Sequence, residues 1–148
     1  MRRFSIVFVS GTLNLALMCG IGSTSASETP PLQASLKQVF DASQEIARKN
    51  GFTVELADLS RGRIESEWRV EPGVHWQQGR RERLIFKAWE TEKGIIASID
   101  VRREINDNSM SPSRTSDASW AGAGNNIEMQ DRFVLLLRQK FDPEWKLQ

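Results

Sequence analysis

The sequence predicts an α+β domain: a two-layer sandwich in which a helix, a four-stranded antiparallel sheet and a second helix follow in chain order, both helices on one sheet face. Three observations predict it. Apolar residues recur at helical spacing over two separated stretches, 35–50 and 125–141. Between them the period changes to two, over 52–70 and 83–105. Short turn-like sequences join the alternating segments, which makes neighbouring strands antiparallel.

The first helix places Leu36, Val39, Phe40, Ser43, Ile46 and Ala47 on one stripe and Lys37, Gln44, Glu45 and Arg48 opposite. Ser35 with Gln38 fits a capping box, and Asn50-Gly51 supplies the stop, because glycine accepts the left-handed conformation after a helix end. Residues 27–34 read as a short spacer before order begins. In the first hairpin Phe52, Val54 and Leu56 alternate with polar residues, as do Ile64, Ser66, Trp68 and Val70. A register pairing Leu56 with Ile64 sets Val54 against Ser66 and Phe52 against Trp68, and a one-residue slip would bury the charged set.

The second hairpin turns at Thr91-Glu92-Lys93-Gly94. A two-residue loop pairs Ala88 with Ala97, Phe86 with Ile99 and Leu84 with Val101, whereas a three-residue loop sets Lys87 against Ile99. The two-residue register is favoured because it buries no lysine. It leaves Trp89 beside Ile96 on an outer face whose other positions, including Glu65, Glu67, Arg69, Lys87, Asp100 and Arg102, are charged. Ile85, Trp89 and Ile96 are the apolar exceptions there. Residues 106–124 form a long polar loop holding Trp120, and its composition favours disorder. The second helix spans 125–141 with Met129, Phe133, Leu136, Leu137 and Phe141 on one stripe, Asn125 as cap and Asp142-Pro143 as stop. Of five tryptophans, two or three are expected in the core, since most tryptophans in a small domain pack.

The chain opens with Met1-Arg2-Arg3, an apolar stretch to Met18 and then small residues, the layout of a secretory signal peptide over 1–26. Polar interruptions at Ser5, Ser10, Thr12 and Asn14 leave it short of the roughly 20 apolar residues that a bilayer span requires. Thr24-Ser25-Ala26 places small residues before a cut that would leave Ser27 first. The alternative is a lipoprotein leader with Cys19 as lipid anchor, although Leu17 and Met18 are large where that pattern has small residues. The protein is thus expected to be exported, periplasmic or secreted, or else a membrane-anchored lipoprotein, touching a membrane only if Cys19 is lipidated. Loss of 1–26 removes two arginines from 20 basic and 19 acidic side chains, leaving 18 against 19 over a single domain, 35–148, after the spacer. That balance gives no general field for nucleic acid.

Catalytic chemistry is poorly marked. Cys19 and His75 are the single cysteine and histidine, so there is no His/Cys metal-ligand set, and no cofactor is implied. No Gly-x-Ser-x-Gly elbow is present, and His75 is the sole histidine base available to a small hydrolase. The segment 122–126, GAGNN, reads as a flexible approach to an asparagine cap, lacking the glycines of a dinucleotide loop. The richest stretch is 72–83, PGVHWQQGRRER, where His75, Trp76, Arg80, Arg81 and Arg83 lie close together on a connection between hairpins. Such a loop offers cation, donor and aromatic surface to an acidic ligand or partner. The plainer alternative is a solvated loop whose arginines pair with Glu71 and Glu82. Trp120 offers the same choice between partner contact and a plug over the end of the sheet.

With Gly51, Phe52, Val54, Gly62, Ile64 and Trp68 in this layout, and Ser66 where threonine is frequent, residues 35–142 resemble small bacterial envelope proteins and lipoproteins of largely uncharacterised function. The layout also resembles the helix-grip domains of outer-membrane assembly lipoproteins similar to BamC. The resemblance implies an envelope location and supplies no catalytic residues. Together these readings lead to a non-enzymatic binding or scaffolding module whose partner is another envelope protein or an acidic ligand, with oligomeric state left open. It would act through Ile85, Trp89 and Ile96, or through the Trp76 and arginine loop with Trp120. A hydrolase using His75 and a lipid- or small-ligand-binding grip domain are the alternatives.

Overall fold

The computed structural model describes residues 25–74, 77–108 and 110–142. The expectations for Cys19, His75 and Trp76 lie outside the described residues, as does nearly all of the leader. Within them the protein is mixed α+β, with two helices and one antiparallel sheet of seven strands rather than four. In chain order these are β1 (Ser27–Glu28), α1 (Leu36–Lys49), β2 (Val54–Asp58), β3 (Arg63–Ser66), β4 (Arg69–Glu71), β5 (Arg80–Thr91), β6 (Gly94–Asn106), β7 (Trp120–Asn125) and α2 (Ile127–Phe141).

The long β5–β6 hairpin is the centre of the sheet. Leu84 pairs with Val101, Phe86 with Ile99 and Ala88 with Ala97, around a turn at Glu92-Lys93, which is the two-residue register. Every second residue of both strands from Leu84 to Val101 is buried, and these residues join Val39, Phe40, Ile46, Phe52, Phe133 and Leu137 in one core.

The three additional strands complete the two outer edges of that hairpin. On the β5 side, the alternating segment 63–70 is interrupted at Glu67-Trp68, so β3 pairs with residues 85–87 and β4 with residues 80–82. On the β6 side, residues expected to be a spacer form β1 against Ser98 and Ile99. Thr29 N donates to Ala97 O at 2.8 Å, Thr29 Oγ1 accepts from Ala97 N at 2.9 Å, and Leu32 bridges Ile95 while only 2 % exposed. The end of the expected loop 106–124 forms β7 along residues 102–106 of the same edge. Between β1 and β7, Asp100 and Val101 have no strand partner on this edge, and α2 with its cap bonds the second of them: Asn126 N donates to Val101 O and Gln130 Oε1 accepts from Val101 N. Gln130 is fully buried there, its amide also donating to Ser25 O and Ser27 Oγ. Buried backbone groups require partners, and these short strands provide them without any periodic signal of their own.

The first hairpin departs from its expected register. Val54 does pair with Ser66, but a bulge between Val54 and Leu56 sets Leu56 against Glu65 and Ala57 against Ile64. One inserted residue reverses the facing of everything on its turnward side. Leu56 is therefore 45 % exposed, while Phe52 stays buried, edge-on to Phe133 with ring centroids 6.0 Å apart. Trp68 does not sit opposite Phe52: the break before β4 sends it to the other side of the sheet, where it is half-buried. None of Trp68, Trp89 and Trp120 is in the core, whose aromatic members among the described residues are phenylalanines.

Helix α1 has the capping box Ser35/Gln38 as expected. The cap of α2 is Asn126 rather than Asn125: Asn126 Oδ1 accepts from Met129 N at 3.2 Å, while Asn125 remains in β7 and donates to Asp100 Oδ1. The polar connection before β7 is organised by Asn106, which is fully buried. Its amide donates to the carbonyls of Ser111, Pro112 and Arg114, and its Oδ1 accepts from Asn108 N and Ser119 N.

Candidate functional site

Arg80, Arg81 and Arg83 do not lie on a loop. They begin β5, and strand alternation sends Arg81 and Arg83 to the side opposite the core, together with Ile85 and Trp89. Arg81 is held between two indoles there, its Cζ 4.4 Å from the Trp68 ring and 4.8 Å from the Trp120 ring, while Nε donates to Glu104 Oε2 at 2.7 Å. A guanidinium face on an aromatic ring is attracted by the ring quadrupole, so two rings and a carboxylate fix this side chain from three directions. Trp120 is thus a member of a strand-borne stack. Arg83 continues the row, donating to Ser66 O at 2.9 Å and Glu55 at 2.8 Å, with Glu65 at 3.1 Å.

Farther along the same side, Trp89 pairs directly with Ile96 and is 39 % exposed, and Ile85 is half-buried. Eight residues separate Arg81 from Trp89, so the row runs about 26 Å along one strand at roughly 3.3 Å per residue. The polar outer positions are knit by Arg63 with Glu65 and Arg102 with Asp100. The structure thus gathers Arg81, Arg83, Ile85, Trp89, Ile96 and Trp120 on one side of the sheet. Arg80 points the other way and pairs with Glu71 at 2.7 Å.

A second cluster was not anticipated. Glu82, with its side chain 3 % exposed, faces inward at the end of the core. Its Oε2 accepts from Arg69 Nη2 at 2.6 Å; its Oε1 accepts from Arg103 Nε at 2.9 Å and Asn126 Nδ2 at 2.8 Å. Arg69 is expected on the wet face with Arg102, but the break before β4 turns it inward, where it also caps the Phe52 ring at 4.6 Å and donates to Asn50 O. Burial pushes the Glu82 carboxyl up, and the hydrogen bonds from Arg103, Asn126 and Arg69 more than offset it, so it lies below the ordinary value. The predicted partner of an arginine in the 80–83 run is instead the anchor of arginines from β4 and β6. One sequence signal pointed there: extending the Leu84–Val101 register outward by one inward pair sets Glu82 against Arg103. The Asn126 bond had no such signal, because the helix start lies one residue later than its pattern suggests.

Among the described residues no group of three or more His, Cys, Asp or Glu side chains is placed to hold a metal ion, and no helix is long and apolar enough to cross a membrane. No family model matches the chain, and no curated protein matches it.

Proposed function

We propose that this protein is an exported, non-enzymatic binding or scaffolding module of a bacterial cell envelope, related in layout to the small envelope proteins and BamC-like lipoproteins it resembles. In this reading the molecule is a two-layer sandwich with both helices on one sheet face, and it engages another envelope protein through the other face. The observation that carries the reading is the placement of tryptophan: Trp68, Trp89 and Trp120 all stay out of the core, and two of them clamp Arg81. Tryptophan and arginine are the residues that most often dominate protein interfaces, being large, rigid and able to bond at one end. Ile85 and Ile96 extend the same surface.

The test uses the full chain expressed in a bacterial host, with a photo-crosslinking residue placed at Trp89, at Ile96 or at Leu59 in the β2–β3 turn. A discrete adduct in the envelope fraction from positions 89 and 96, and none from 59, is the expected outcome. Equal yields from all three positions, or none from 89 and 96, overturn the reading. The intact mass of the same material separates a chain starting at Ser27 from one acylated at Cys19.

A further inference from the structure

We infer that the cavity where β4, β5, β6 and the first turn of α2 meet is a binding site for a phosphate group. The cavity measures about 220 Å³ and is lined by Arg69, Arg80, Arg103 and Arg132 together with Glu82 and Glu128. It lies on the core-facing side of β5, apart from the tryptophan-bearing surface.

The donors fall into two groups. Arg69 has both terminal nitrogens committed, Nη1 on Asn50 O and Nη2 on Glu82, with its face on Phe52 and its Nε buried without a partner among the described residues. The other three retain capacity. Arg103 places Nε and Nη2 on a single oxygen of Glu82, which leaves its Nη1 uncommitted among the described residues. Arg80 does the same with one oxygen of Glu71. Arg132 makes no ion pair or side-chain hydrogen bond among the described residues. Three arginines with unused donors therefore line one cavity from three different elements: β5, β6 and α2.

That geometry selects the ligand. A carboxylate offers two coplanar oxygens, and Glu82 already fills that role for Arg69 and Arg103. Donors arriving from separate elements suit a tetrahedral group with three or four acceptor oxygens, and planar guanidinium forks match phosphate in bidentate fashion. The positive end of the α2 dipole adds to the attraction, while Glu128 opposes it. Size agrees: the volume equals about seven waters at roughly 30 Å³ each, room for a hydrated phosphate group and below the roughly 300–1,000 Å³ of drug-sized pockets. Glu82 holds Arg103 and Glu71 holds Arg80 before any ligand arrives, so the ordering left to binding is chiefly that of Arg132.

The experiment follows the full chain by thermal unfolding and calorimetry during titration with inorganic phosphate, and by flotation with phosphatidic acid vesicles. Saturable stabilisation by one probe or both is expected: free phosphate alone identifies a soluble ligand, and vesicles alone identify a lipid headgroup. Arg132→Gln and Arg80→Gln should each weaken binding by about tenfold or more, as loss of a charge-assisted hydrogen bond implies. Arg132→Lys should fall between, and Glu128→Gln should tighten binding. Lys87→Gln, on the opposite side of β5, should titrate as the parent does. Absence of saturable binding to both probes overturns the inference, as do parent-like titrations of both Arg132→Gln and Arg80→Gln. Crosslinking at Trp89 and Ile96 reads a different surface, so failure there leaves this site standing, and the converse holds.

Discussion

Replacing Glu82 with glutamine isolates what its charge contributes, because the substitution keeps shape and one acceptor oxygen. However the amide is turned, its NH₂ faces a donor: Arg69 Nη2 on one side, or Arg103 and Asn126 on the other. The better orientation forfeits the Arg69 bond, about 1.5–3 kcal/mol for a charged hydrogen bond, and removes the nearest counter-charge of both guanidinium groups, leaving Arg69 only Glu71 at 3.6 Å. Removing one partner of a fully buried pair costs about 3–5 kcal/mol. Arg69 and Arg103 keep 25 % and 32 % of their side-chain surface exposed and recover part of that through water, so the expected loss at pH 7 is about 2–4 kcal/mol. The pH dependence has a definite sign. Because the folded carboxyl lies below its ordinary value of 4.5, its contribution is present above that pH and is lost as pH falls through the lower folded value. The stability gap between parent and Glu82→Gln should therefore be widest at neutral pH and shrink below pH 4.5, while other lowered carboxyls, such as Glu45 and Asp58, act on both proteins and cancel. Urea unfolding followed by tryptophan fluorescence and circular dichroism across this pH range measures the gap. A gap within about 0.5 kcal/mol at pH 7, the range of an ordinary surface change, would refute the reasoning, as would one that does not change with pH.

Gly62→Ala should destabilise by at least about 2 kcal/mol in chemical unfolding, since residue 62 has φ +58° and an added Cβ would lie 2.1 Å from Ala88 O. Asn106→Ala removes five hydrogen bonds from one connection, so amide hydrogen exchange at Asn108 and Ser119 should accelerate by orders of magnitude while the centre of β5 changes far less. Arg81→Ala should alter tryptophan emission, because both neighbouring indoles lose their cation, and should cost about 1–2 kcal/mol in unfolding. Ser35→Ala should cost about 1 kcal/mol through loss of the α1 cap, and the helix content by circular dichroism should otherwise persist.

Legibility followed the length of the pattern. The β5–β6 register could be read because one alternative buried Lys87 and the other did not, a difference of several kcal/mol repeated along the strand. Helix α1 could be read because cap, stripe and stop agree within one local segment. The strands β1 and β7 could not be, since two residues near prolines, and a glycine-alanine run, carry no periodicity; they are strands only because β6 has an edge to fill. The bulge at Val54–Leu56 and the break before β4 shift facing by single residues, and no residue type there announces either one. Both parts of the candidate surface inherit this split. Ile85, Trp89 and Ile96 followed from register, whereas the meeting of Arg81 with Trp68 and Trp120 required two strands whose positions were not visible.

The sequence by itself determined the α+β class, the two helices, the central hairpin and its inward residues, because helical and strand periods arise from local backbone geometry and mark themselves on every turn or pair. Tertiary structure alone decided which charges are buried and which tryptophans are not. Glu82 is tolerated inside because Arg69, Arg103 and Asn126 arrive from β4, β6 and the cap of α2, and Arg81 is clamped because Trp68 and Trp120 arrive from β4's approach and β7. Each of those partners lies between 13 and 44 residues away in the chain. Local preference does not reach that far, and burial is compensated only once the distant donors are in place.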